Sequence, residues 1–333
     1  MNRRDFLKAS LTGLAAMAIG GAGLSGCNRL GGVHVANAAP ETPATQPSAS
    51  PGETHVSPGI KRKPVQTPCD MAVATGEDIK ATALAALEAF GGLEQFVGKD
   101  DKVVIKPNLA WARTAEQGAN THPDLLAAIL EAIQQIGPEE LIVVEHPVDS
   151  ADVTFEMTGA KQVCDQYRVP LICARTDKMY TAIDYPKGQI ITSDAVITDI
   201  MTSTVYISLP IAKVHGSSVI TCALKNQMGS VWDRGAYHRQ GLHQCIADAA
   251  TGLQPTLNII DASRILLTSG PKGPGQLEYP NEIFVTTDMV AADVYAAGLL
   301  GKKIEQVPHI TMAAELGVGE PDLNALQIER VSA

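Results

Sequence analysis

Between Lys213 and His243 the chain brings together the cations Lys213, Lys225 and Arg234 and the imidazoles His215, His238 and His243, although its formal charge is −10. Cations converging in a cleft suit a phosphate or carboxylate, and a guanidinium grips either with two parallel hydrogen bonds. Neutral histidines transfer protons or ligate metal near neutral pH. Lys106, Asn108, Lys213, Lys225, Asn226 and Arg234 are therefore candidate substrate contacts. His215 and His238 are candidate catalytic acids or bases, and His215, His238 and Asp261 are candidate ligands for a divalent metal. His238 and His243 are five residues apart, which puts them on different faces of a regular helix unless Gly241 breaks it.

These residues need elements to carry them. Short β-branched runs at residues 102–106, 141–145, 170–174, 204–209, 257–261 and 282–286 read as strands. Helical periods cover 76–90, 122–136, 154–167, 242–253, 289–300 and 307–316. The alternation predicts a single α/β domain, a mostly parallel sheet with helices on both faces. Lys106-Pro107-Asn108 ends one expected strand, Glu145-His146 a second and Asp261 a third, while Lys213 and His215 follow a fourth. Carboxyl ends of parallel strands line the ligand crevice, so these groups should share one edge.

Other chemistries lack their motifs. From residue 69 onward the sequence has no G-x-G-x-x-G, G-x-S-x-G or H-E-x-x-H, which argues against a Rossmann dehydrogenase, an elbow-type serine hydrolase and a zincin. Gly270-Pro271-Lys272-Gly273-Pro274-Gly275 reads as a rigid turn rather than a phosphate loop. The six cysteines form no C-x-x-C, so an iron–sulfur cluster is not expected. An acidic chain without a basic, aromatic-interleaved stripe is not expected to bind nucleic acid. Asp288 is placed to cap a helix, and Asp293, a turn further on, faces either the cleft or solvent.

The first residues carry an address. Arg3-Arg4-Asp5-Phe6-Leu7-Lys8 resembles the twin-arginine export motif, and a Gly/Ala-rich apolar run follows it. Leu24-Ser25-Gly26-Cys27 resembles a lipobox, which would place lipid on Cys27; Ala36-Asn37-Ala38 is the competing cleavage site. Residues 1–26 are thus expected to be a signal peptide, 27–68 a Pro/Ala/Thr-rich tether, and 69–333 the folded domain. The expected partners are the twin-arginine machinery, the membrane through Cys27, and a small anionic ligand.

Taken in order, Lys106-Pro107-Asn108, Thr121-His122-Pro123-Asp124, Lys213-x-His215, Leu224-Lys225-Asn226-x-x-Gly229, His238, Ile260-Asp261, Gly270-Pro271 and Asp288 with Asp293 resemble the family catalogued as domain of unknown function (DUF) 362. The likeness spans about residues 100–320. It implies an α/β fold and a site at these positions, and names no reaction. Some members carry added ferredoxin-like cysteines, which this chain lacks. The sequence leaves three function classes standing: an exported enzyme for a small anionic metabolite, a non-catalytic lipoprotein that binds a ligand or metal or assists a redox complex, or a surface protein whose helices dock a partner.

Overall fold

The computed structural model describes residues 65–333; the signal at 1–26, Cys27 and the tether up to residue 64 lie outside the described residues. The described chain starts with β1 (Met71–Thr75) and α1 (Ile79–Ala89), followed by β2 (Lys102–Pro107), α2 (Pro123–Ile136) and β3 (Glu140–Glu145). Then come α3 (Ala151–Met157), α4 (Ala160–Tyr167) and β4 (Leu171–Cys173). A hairpin of β5 (Tyr180–Asp184) and β6 (Ser193–Ile197) precedes α5 (Thr198–Thr202), β7 (Val205–Leu209), β8 (Ile211–His215) and β9 (Val219–Thr221). Next are α6 (Ala223–Asn226), α7 (Arg234–Gln240) and α8 (Leu242–Ala250). The remaining elements are β10 (Leu257–Leu266), β11 (Leu277–Glu278), β12 (Glu282–Thr286), α9 (Met289–Leu299), α10 (Pro308–Glu315) and β13 (Ile328–Ser332).

The main sheet runs β4-β3-β2-β7-β10-β12-β1-β13. Strands β4, β3, β2, β7 and β10 are parallel, and β12 runs against both β10 and β1. This is the mostly parallel α/β sheet that the alternation of elements predicts. Side chains along a strand alternate between faces. Val103 and Ile105 of β2 enter the core shared with α1 and α2, while Val104 enters the core shared with α8, α9 and α10. A strand buried on both faces must be apolar throughout, which is why the runs in β2, β3 and β7 stand out. Pro123 opens α2 behind His122, whose ring accepts from the Asp124 N–H, and Asp288 caps α9 by accepting from Val290 and Ala291.

Three departures from the expected elements matter. The 154–167 helix is two helices, because Gly159 at φ 76° turns the chain between α3 and α4. Strand β10 does not end at Asp261 but continues to Leu266. After Pro210 the chain leaves β7 and re-enters as β8, which pairs with the far half of β10 (Asp261 with Ile211, Leu266 with Lys213). In sequence, β3 and β4 build out on one side of β2, and β7 and β10 on the other. The order of the sheet therefore reverses between β2 and β7, the place where open parallel sheets form their crevice.

Within β10, Asp261 is fully committed. Its carboxylate accepts from the His122 N–H at 2.7 Å, from the Ser263 hydroxyl at 2.7 Å and from Arg264 Nη1 at 2.7 Å. Burial pushes its carboxyl up, but Arg264 and Ser263 outweigh that and hold it below the usual carboxylate value. The expectation that Asp261 is a ligand for a divalent metal is thereby corrected: its cation is Arg264. Arg264 in turn donates to the carbonyls of Ala115 and Asn120, so the pair pins the loop between β2 and α2. Asp261→Ala would leave a buried guanidinium without its carboxylate. Denaturant unfolding should show a loss of about 3–5 kcal/mol, with Asp261→Asn in between.

Candidate functional site

A cavity of about 460 Å³ opens at the carboxyl ends of β2 and β3 and under β8. Lys106, Asn108, Lys213, His215, Lys225, Asn226, Arg234 and His238 all line it, as do Trp111, Glu145, His146, Gly229 and Pro271. The volume suits a small metabolite.

Its floor is an ion pair. Lys106 ends β2 on the face that meets α6, and its Nζ donates to Glu145 Oε2 at 3.0 Å, the Pro107 carbonyl at 2.9 Å and Asn226 Oδ1 at 3.2 Å. Glu145 also accepts from the N–H groups of Leu109 and His146, both at 2.9 Å. Burial lowers the Lys106 pKa and Glu145 opposes that. All three ammonium hydrogens are engaged inside the protein, so Lys106 builds the site rather than gripping a ligand. Asn226 and Asn108 join in: Asn108 Nδ2 donates to Asn226 Oδ1 at 3.0 Å, and Asn226 Nδ2 donates to Ser208 Oγ at 3.0 Å.

Lys213 and Lys225 differ from Lys106. Lys213 Nζ donates to Asn108 Oδ1 at 3.1 Å and to the Ala119 carbonyl. The Lys225 ammonium, on α6, has no hydrogen-bond or ion-pair partner among the described residues. Neither lysine has a carboxylate within ion-pairing distance; Glu145 is taken by Lys106 and Asp261 by Arg264. Burial, and then the Lys225 charge, bring Lys213 down to about 7. Burial, then Arg234 and Lys106, bring Lys225 to about 8. Arg234 clamps a loop instead of reaching out, with Nη1 donating to the His146 carbonyl at 2.8 Å and Nη2 to that of Pro147 at 3.2 Å. Its charge still borders the cavity. Of the expected anion contacts, Lys213 and Lys225 keep capacity for a ligand.

The imidazoles have distinct states set by their neighbours. His215 Nδ1 accepts from the N–H groups of Ser217 and Ser218 at 3.1 and 3.3 Å, so a neutral ring carries its proton on Nε2. Burial, then Lys225 and Lys213, depress its pKa to about 3. His215 is thus a neutral donor at working pH, not a base. His146 is the reverse. Tyr180 donates its proton to the Ala174 carbonyl, so His146 Nδ1, 2.9 Å from that hydroxyl and 3.4 Å from the Val231 carbonyl, must carry a hydrogen. A neutral His146 then presents an unprotonated Nε2, and burial followed by Arg234 lowers its pKa. The sequence marks His146 only as the residue after a strand; the tautomer depends on Tyr180 and Val231, distant in the chain. His238 is exposed at the mouth, lowered by burial and Lys225.

Gly241, at φ 128°, does break the helix between α7 and α8, yet it sends His243 away from the cavity, where its Nδ1 lies 3.0 Å from that of His309. Asp293 faces neither cleft nor solvent. It is buried behind α6, accepting from the Leu224 N–H at 3.2 Å, with Oδ2 3.4 Å from His309 Nε2. Among the described residues no three His, Cys, Asp or Glu side chains converge to hold a metal ion. The candidate set of His215, His238 and Asp261 does not fit one, since Asp261 is held by Arg264 and His215 Nδ1 by backbone amides. The Gly270–Gly275 turn gives Pro271 to the wall, and Lys272 lies 5.2 Å over the Trp111 ring and 3.4 Å from Asp149. The five described cysteines are free.

Gly229 is fixed by the ion pair beside it: a Cβ there would come within 2.6 Å of Lys106 Nζ and 2.7 Å of Glu145 Oε1. Gly229→Ala must push the pair apart. Overpacking of this kind costs about 1–3 kcal/mol, and thermal unfolding should report it.

The thylakoid-associated protein sll1697 of Synechocystis sp. is 24% identical over 249 residues, spanning 72% of this chain and 74% of its own length. Among solved structures, the lactate racemase apoprotein from Thermoanaerobacterium thermosaccharolyticum aligns at a TM-score of 0.39 and 10% identity, over 68% of this chain and 56% of that one. The family model described as "Domain of unknown function (DUF362)" matches residues 103–298, which takes in every strand end that feeds the cavity. The chain belongs to the DUF362 family.

Proposed function

We propose that this protein is an exported, lipid-anchored enzyme that acts on a small anionic metabolite. The observation that carries the reading is the pair Lys213 and Lys225, two ammonium groups on one cavity with no carboxylate to neutralise them. Two unneutralised charges in a low-dielectric pocket repel each other, and an anion relieves that repulsion. His215 Nε2–H offers a hydrogen bond to a ligand oxygen, and His146 Nε2 offers a lone pair to a proton. A bound anion thus meets a donor and an acceptor whose roles the fold has set beforehand. The twin-arginine and lipobox motifs support export and anchoring through Cys27, and the thylakoid association of the Synechocystis relative agrees with a membrane-side position. Among the described residues no helix is long and apolar enough to cross a membrane.

The lysines dictate an opposite pH dependence for stability and for binding. Their pKa values in the fold, about 7 and 8, lie below the ordinary 10.5, so the unfolded chain holds more protons in between. Ligand-free stability therefore rises with pH from about 7 to 10.5 and is lost as pH falls through the folded values. Anion binding needs the protonated amines and weakens over the same rise. Thermal unfolding with oxalate as probe should show a shift several-fold larger at pH 6.5 than at pH 9. Lys225→Gln should remove most of that shift while the ligand-free Tm stays within a few degrees. No shift with oxalate, phosphate or other small anions would overturn the reading. A bound metabolite recovered unchanged after long incubation would identify a binding lipoprotein instead. For the anchor, Cys27→Ser should move the protein from the membrane to the soluble extracytoplasmic fraction.

A further inference from the structure

We propose that Lys213 is a nucleophile and that the substrate is a small carboxylate bearing a ketone or aldehyde, which the enzyme captures as an imine; this rests on the anionic reading above. The geometry around Nζ carries it. Two of its tetrahedral positions are used by hydrogen bonds to Asn108 Oδ1 and the Ala119 carbonyl, both fixed parts of the protein. Asn108 is itself held by Asn226, and the Ala119 segment by Arg264 through the Asn120 carbonyl. Lys213 lines the cavity, and one position on its Nζ is left over. On an ammonium it holds a third hydrogen, and on an amine it holds the lone pair.

The surroundings favour the amine. Lys213 is 1% exposed, and the charged groups that act on it are Lys225, Arg264 and Lys106, with Glu145 alone opposing them. A desolvated lysine beside another cation is the arrangement that yields a nucleophilic amine near neutral pH. Its fold value of about 7 agrees. Lys106 cannot take this role, because its hydrogens are bound to Glu145, Pro107 and Asn226. Lys225, lacking partners, stays free to pair with the substrate carboxylate and to deliver a proton.

The step balances without a redox partner. The Lys213 lone pair forms a C–N bond to the carbonyl carbon as the C=O π pair moves to oxygen. His215 Nε2–H hydrogen-bonds that oxygen. A proton passes from nitrogen to oxygen through Lys225, giving a neutral carbinolamine. The nitrogen lone pair then forms C=N as the hydroxyl leaves, protonated by Lys225, and the proton lost from nitrogen restores Lys225. One amine and one carbonyl give one imine and one water.

The test uses the matured full chain with pyruvate as probe, sodium cyanoborohydride as trap, and peptide mass mapping. The expected result is one reduced pyruvate conjugate per chain, on Lys213, with yield rising as pH increases toward 8. Oxalate should compete with it, and Lys213→Arg should lose it. Because the wild-type map is itself the readout, a variant that fails to fold does not block the test. Conjugates absent, or spread over exposed lysines, overturn the proposal. If oxalate still shifts the unfolding temperature in that case, the anion site stands and only the imine falls; if it does not, both fall.

Discussion

The Lys106–Glu145 ion pair is the contact on which the rest of the site depends. It joins the ends of β2 and β3, and through Asn226 it reaches α6. One carboxylate fixes the chain after each strand by accepting from Leu109 and His146. Removing two charges from water is costly, and the pair persists because nearly every lone pair and proton in it has a partner. Its consequence reaches beyond itself. Once Glu145 is taken, the other cations of the cavity have no internal counterion, and the cavity becomes a place for an anion.

A second pair repeats the logic one layer back. Asp261 and Arg264 neutralise each other within β10 and fasten the loop that brings Asn108, Trp111 and Ala119 to the cavity. The acidic groups nearest the site are thereby engaged in structure. A chain with net charge −10 can hold a locally cationic pocket because Glu145 and Asp261, two buried carboxylates of the strands that build it, are held in such pairs.

How much of this could be read from residues alone follows from the range of each interaction. The central strands are legible because burial on both faces forces unbroken apolar runs, and their ends locate the cavity. Strand β13 escapes notice because its Ile-Glu-Arg-Val-Ser pattern belongs to a half-exposed edge, and β10 reads as ending at Asp261 because a charged pair inside a strand looks like a loop. The cations of the site are recognisable by type, but not by role. Whether a lysine builds a floor or faces a ligand depends on which acceptors meet it across 39 residues for Lys106 with Glu145 and 105 for Lys213 with Asn108. The same holds for His146 and His215, whose opposite tautomers come from a tyrosine and from two serine amides.

The central claim is that Lys213 and Lys225 form an anion site whose protonation is coupled to binding. Calorimetric titration of oxalate near pH 8, repeated in buffers of different ionisation enthalpy, measures that coupling directly. Binding should draw protons from the buffer, since the ligand restores the ammonium form of amines that titrate at about 7 and 8. Heat that is the same in every buffer, or release of protons, would contradict the account.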